Sequence, residues 1–214
     1  MRAFCVLVVA LAFVAGCGGG DEESSDTTTS AGECETVEAP EAKEPGTSEA
    51  PSEPLDASKS YILTFDTSCG SFTVTLDPEV APETSASLVA LANAGYFDDT
   101  VFHRVVPGFV IQGGDPTQTG AGGPGYSTVD APPSDAAYTK GVVAMAKSGV
   151  EAPGTAGSQF FVVSGADAGL PPEYAIVGEV TDGIDTVERI DALGVGDGPP
   201  SQPVVVSSVT VSES

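Results

Sequence analysis

Arg104 is the residue of this chain whose type and setting most readily do chemistry. It lies between Phe102 and the pair Phe109 and Val110, so a fork of N–H donors sits beside an apolar cluster. Arginine keeps its charge at any working pH. A permanent donor next to an apolar cluster suits a reaction in which an apolar ring is held while one atom of it accepts a hydrogen bond. No nucleophile, proton donor or metal is required for that. Gln112 lies two residues beyond Val110, on the same face of a strand, so its amide can hold a substrate carbonyl or orient Arg104. A charged hydrogen bond is worth about 1.5–3 kcal/mol, roughly ten- to over a hundredfold in rate. Any further acceleration comes from binding a distorted conformer better than the relaxed one. On composition alone Arg104 reads equally well as a surface salt-bridge residue, and Phe109 as core.

Other chemistries find no support. Gly120 to Gly125 matches G-x-G-x-x-G, but loop residues and prolines follow where a dinucleotide site needs a helix. The sequence holds no phosphate-binding G-x-x-x-x-G-K-[ST] and no G-x-S-x-G elbow. His103 is the only histidine, and the cysteines make a poor zinc site, so no metal and no cofactor is expected. Seven Lys and Arg face 31 Asp and Glu, a formal charge of −24. Such a surface repels phosphate backbones, so nucleic-acid partners are discounted.

The elements that must position Arg104 start near Lys59. Tyr61, Leu63 and Phe65 alternate with Ile62, Thr64 and Asp66, and Phe72, Val74 and Leu76 with Thr73 and Thr75, which predicts a hairpin turning at Cys69-Gly70. Pro82 opens a helix with Leu88, Leu91 and Ala92 as its apolar stripe, and Gly95 stops it. Short apolar runs at 101–106 and 109–111 follow. Residues 113–137 read as loop. Residues 142–145, 159–163 and 175–180 read as buried strands. A second short helix is expected over 183–193, capped by Asp182, and a last strand over 204–211. Many strands with two helices predict a closed sheet. Phe160 and Phe161 are adjacent on a strand and point to opposite faces, one to core and one free to line a pocket.

The first residues read as a processing signal, over 1–16. Val6 to Ala15 is an apolar run too short to span a bilayer. It ends in Val14-Ala15-Gly16-Cys17, which resembles the bacterial lipobox; the resemblance implies a lipidated Cys17 and an anchor at the extracytoplasmic face of the cell membrane. Ordinary signal cleavage is the alternative. Residues 17–58 carry twelve acidic residues against Lys43 alone, with four prolines, and read as a disordered linker. The domain is placed at 59–214. With Cys5 removed and Cys17 lipidated, Cys34 and Cys69 remain, in a compartment that permits disulfides. Pairing them is the simplest arithmetic, two free thiols the alternative. Pairing would leave only about residues 18–33 to swing. The acidic, soluble domain suggests a monomer.

Two segments carry a family resemblance: FHRVVPGFVIQGGD at 102–115 and GSQFFV at 157–162. Together with GVVAMA at 141–146 and YAIVG at 174–178, they resemble the cyclophilin family of prolyl isomerases over roughly residues 60–212. The resemblance implies a mostly β fold, a closed eight-stranded antiparallel barrel capped by two helices. It implies an isomerase that rotates X-Pro bonds in proline-containing polypeptides; joined to the lipobox-like signal, it leads to an expected role in folding exported or surface proteins. A non-catalytic proline-peptide-binding chaperone module is the other reading. The resemblance makes Arg104 the catalytic arginine, with Phe109, Val110, Phe161 and Leu170 lining the proline pocket and Tyr174 closing one wall. Gln112 and Gln159 would bond the substrate backbone. Ala146 and Lys147 would offer main-chain groups and the neighbouring subsite. The sequence departs from many family members at Gly169 (for tryptophan), Tyr174 (for histidine), Lys147 (for asparagine) and Val110 (for methionine). With no tryptophan in the chain, tight cyclosporin binding is not implied.

Overall fold

Alternating burial builds the first hairpin, with only apolar Ile62 breaking the apolar–polar pattern. Strand β1 (Tyr61–Thr67) buries Tyr61, Leu63 and Phe65, and β2 (Gly70–Leu76) buries Phe72, Val74 and Leu76. Phe65 and Phe72 are register partners, and their rings stack 4.8 Å apart. Helix α1 (Pro82–Asn93) starts with proline in its first turn, where the missing N–H costs nothing. It buries Leu88, Leu91 and Ala92. Gly95, at φ +66°, ends it in the left-handed region that glycine occupies freely. The computed structural model describes residues 32–214; the signal segment and Cys17 lie outside the described residues.

The remaining strands are short: β3 (Thr100–Val101), β4 (Arg104–Val106), β5 (Val110–Gly113), β6 (Thr128–Val129), β7 (Val142–Met145), β8 (Thr155–Ala156) and β9 (Phe160–Val163). Then come β10 (Ile176–Asp182), helix α2 (Ile184–Asp191) and β11 (Val205–Glu213). Nine strands form one antiparallel sheet in the order β3-β11-β1-β2-β10-β7-β9-β5-β4, and β6 pairs with β8 apart from it. The sheet is strongly curled. β1 and β9 are four positions apart, about 19 Å in a flat sheet at roughly 4.8 Å per strand, yet the Phe65 and Phe160 rings lie 5.2 Å apart.

The expected closed ring of eight strands is not formed. The two edges of the sheet, β3 and β4, are consecutive stretches of chain separated by Phe102 and His103, and no ladder joins them. The backbone there bonds the connection before β11 instead: Phe102 N–H donates to the Val204 carbonyl and Val105 N–H to that of Gly198. Helix α2 also begins differently. Gly183, left-handed at φ +74°, is its N-cap rather than Asp182, and a Cβ at Gly183 would sit 2.4 Å from the Ser71 carbonyl. Strands β6 and β8, two residues each, are too short to show a period.

The curled sheet separates two apolar clusters. Phe72, Phe102, Ile111, Met145, Phe160 and Val162 pack inside it. Val110, Tyr138, Ala144, Phe161 and Val163 form a second cluster on its other face.

Residues 32–58 hold no helix or strand, yet they are tied to the domain. Cys34 and Cys69 form a disulfide. Glu35 N–H donates to the Ser68 carbonyl, Lys43 N–H to Pro116, Gly46 N–H to Gly123 and Ser48 N–H to Pro124. Among the described residues no helix is long and apolar enough to cross a membrane.

Candidate active site

The site grows from one cross-strand row. Arg104 on β4 pairs in register with Gln112 on β5, Gln112 with Phe161 on β9, and Phe161 with Ala144 on β7. Because successive strand residues alternate between faces, Phe160 enters the inner core and Phe161 the outer cluster. Val110 is two residues before Gln112 and shares its face.

This face opens into a cavity of about 250 Å³. Phe109, Val110, Phe161 and Leu170 line it with apolar surface, and the Tyr174 ring stands edge-on to Phe161 at 5.6 Å. Arg104 and Gln112 bring polar groups to the lining, and Ala146 and Lys147 complete it. The Lys147 side chain is only 3% exposed; it pairs with Glu173 at 3.1 Å and lies 5.4 Å from the centre of the Tyr174 ring. Gln159 stands just outside, in a second cavity of about 680 Å³ that shares Gln112, Ala146 and Lys147 with the first.

The polar groups are held in sequence. Arg104 Nη1 donates to Gln112 Oε1 (3.2 Å), Gln112 Nε2 to Gln159 Oε1 (3.1 Å), and Gln159 Nε2 to the Gly122 carbonyl (2.9 Å). On its other edge Arg104 donates from Nε and Nη2 to the Asp197 carboxylate, at 2.5 and 3.2 Å. Those bonds from the guanidinium hold the Asp197 carboxyl below its ordinary range. A guanidinium has five N–H donors; the two not engaged have no partner among the described residues. His103 is pushed below its ordinary value, chiefly by burial. Neither of its nitrogens has a hydrogen-bond partner among the described residues, so it is a neutral packing residue beside Arg104. Among the described residues no three His, Cys, Asp or Glu side chains cluster to hold a metal. What the arrangement offers is a permanent, oriented donor beside an apolar recess.

Residues 62–211 match the family model described as cyclophilin type peptidyl-prolyl cis-trans isomerase/CLD. The chain belongs to the cyclophilin family. This cyclophilin is 40% identical over 169 residues to the probable peptidyl-prolyl cis-trans isomerase A of Mycobacterium leprae, covering 70% of this chain and 91% of the relative. Its likeness to the isomerase A of Mycobacterium tuberculosis is the same, 40% over 168 residues with those shares. Among solved structures, a cyclophilin type peptidyl-prolyl cis-trans isomerase of Cryptosporidium parvum matches with a TM-score of 0.65 at 30% identity, over 72% of this chain and 98% of that one. The activity of this cyclophilin is therefore peptidyl-prolyl cis-trans isomerisation.

Two residues of the site escape sequence reasoning. Asp197 lies 93 residues from Arg104 in a Gly- and Pro-rich connection, and nothing in its local pattern separates it from the other acidic residues. Tyr138, 1% exposed, donates its hydroxyl to the Tyr174 carbonyl (2.8 Å) and accepts from Tyr174 N–H (3.0 Å). It thereby fixes the wall that Tyr174 forms; a lone tyrosine in a loop gives no hint of that. The glycine run 120–125 is confirmed as loop, pinned by buried Asp115, which accepts from Thr117, Gly120 and Gly122 N–H groups.

Proposed function

We propose that Arg104 is the catalytic group of this isomerase and that the 250 Å³ cavity receives the proline ring. Rotation about an X-Pro bond is opposed by amide resonance, a barrier of about 18–20 kcal/mol. In the twisted state the proline nitrogen is pyramidal and accepts a hydrogen bond that the planar amide does not. The unengaged Arg104 donors supply that bond, so the guanidinium binds the twisted state more strongly than either planar isomer. Phe109, Val110, Phe161, Leu170 and Tyr174 hold the ring, while Gln112 and Gln159 hold the polypeptide backbone. Ala146 and Lys147 extend the groove. The observation that carries this reading is the guanidinium held on two sides, by Asp197 and Gln112, at the lining of an apolar recess. In support, the Cryptosporidium isomerase has been solved in the presence of the dipeptide Ala-Pro. Exchange spectroscopy on an Ala-Pro peptide tests it: the chain speeds exchange if the reading holds, and a folded chain that does not speed it contradicts it.

The clients are proline-containing exported or surface polypeptides, and the enzyme works as a monomer held to the extracytoplasmic face of the membrane through a lipidated Cys17. The lipobox-like segment before Cys17 and a disulfide-bonded pair in the folded chain support that placement. Fractionation of cells tests it. The parent chain should sediment with membranes and Cys17→Ala should not; equal partition of both overturns the anchor.

A further inference from the structure

The cyclophilin match begins at residue 62, but the site does not. Pro45 and Gly46, from the acidic stretch before the domain, line the 680 Å³ cavity beside the proline recess. Residues 34–48 act as a strap. One end is moored by the Cys34–Cys69 disulfide. The Gln118 amide donates to the Pro40 carbonyl at 2.9 Å, and Lys43 Nζ donates to the Asp98 carbonyl. At the crossing, Gly46 N–H donates to the Gly123 carbonyl (2.9 Å) and Ser48 N–H to that of Pro124 (2.8 Å). Neither chain has room for a side chain there. A Cβ on Gly46 would lie 2.9 Å from the Tyr96 ring and 3.0 Å from Pro124 Cα, and one on Gly125 would lie 2.8 Å from the Gly46 carbonyl.

What the strap clamps is the glycine loop 120–125, at Gly123 and Pro124, beyond the Gly120 and Gly122 N–H groups that Asp115 holds. Gly122 ends the hydrogen-bond series that starts at Arg104, and Gly123, the next residue, is where the strap attaches. The cavity between strap and loop has no Val, Leu, Ile, Met or Phe among the described residues that line it; glycine main chain, serines, glutamines, Lys147 and Glu151 bring polar groups to it, beside prolines, alanines and the Tyr126 ring.

We propose that the strap is a specificity element: with the isomerase reading as its basis, a polypeptide whose proline fills the smaller cavity lays a flanking residue against Pro45, Gly46 and the loop. The polar groups on its walls, with no bulky aliphatic side chain among them, favour a hydrogen-bonding flanking side chain over a bulky apolar one. The closed disulfide holds the strap in place to make that choice.

Two peptides differing only in a flanking Gln or Leu test it, with kcat/KM and Kd both taken by NMR on the oxidised full chain. The expected ratio is about fivefold in favour of Gln, falling below about twofold in Gly46→Val and in the Cys34→Ser, Cys69→Ser double variant. Thermal unfolding of each variant establishes that it is folded. A parent with no preference, or ratios in both folded variants equal to the parent's, overturns the inference. Because Kd is read as well, the strap is tested even if the parent binds without turnover; that result would strike the isomerase reading alone.

Discussion

Asp197 grips Arg104 along one edge of its guanidinium, through Nε at 2.5 Å and Nη2 at 3.2 Å, while Gln112 takes Nη1. Asp197 is exposed, and an exposed ion pair adds little stability. Its effect is on direction: with two sides tethered, the remaining donors have a defined aim. Asp197→Ala should lower kcat/KM about three- to tenfold, mainly in kcat, with Asp197→Asn intermediate. A change confined to KM or to melting temperature would show that Asp197 does not orient Arg104.

The same pair sets the acid limb. Arginine does not titrate in the working range, and His103, whose value burial lowers, makes no hydrogen bond to Arg104 or any other described residue. Asp197, whose folded value is depressed, keeps the pair intact at neutral pH and loses it as pH falls through that folded value, below the ordinary 3.8. The rate should therefore be level from about pH 5 to 9. A step below pH 6.5, on the side to which burial moves His103, would implicate it in turnover.

Stability has a separate pH dependence. His103 binds a proton less readily folded than unfolded, so its contribution is full above the unfolded value of 6.5 and is lost as pH falls below it. Urea unfolding should show the chain weakening from pH 7 to 5, and His103→Gln should flatten that slope. An unchanged slope would place the titrating group elsewhere.

Tyr138→Phe should cost about 1–3 kcal/mol, since it removes two hydrogen bonds to the Tyr174 main chain inside a buried cluster. The Tyr174 wall loosens with it, so KM should rise. A variant as stable as the parent would mean that aromatic packing alone fixes Tyr174.

The hairpin and the first helix were legible because apolar periodicity records which face is buried, and the opposite facing of Phe160 and Phe161 because neighbours on a strand alternate. Arg104, Gln112 and Phe161 were grouped through the motifs that resemble the cyclophilins; the cross-strand row that joins them is visible only in the fold. Closure of the barrel was not. It depends on whether Phe102 and His103 continue a ladder or turn to bond residues 198–204, a long-range choice that leaves no local period. Asp197 and Tyr138 were hidden for the same reason: each acts on a residue distant in sequence, from a loop whose composition looks like any other. The strap was half visible. Its acidic, proline-rich composition lacks the apolar side chains that drive burial, yet a disulfide and main-chain hydrogen bonds hold it without them.

Reduction of Cys34–Cys69, separated by 35 residues, should lower stability by up to about 4 kcal/mol through the freedom regained by the unfolded chain. Denaturant midpoints with and without reductant measure it; equal midpoints would mean that the crosslink confers no stability.

The central claim rests on Arg104, and NMR exchange of an X-Pro peptide with the parent and Arg104→Ala tests it most directly. The account predicts rapid exchange with the parent and a loss of roughly ten- to over a hundredfold in the variant, with peptide affinity largely kept. Exchange as fast in a folded Arg104→Ala chain would contradict it.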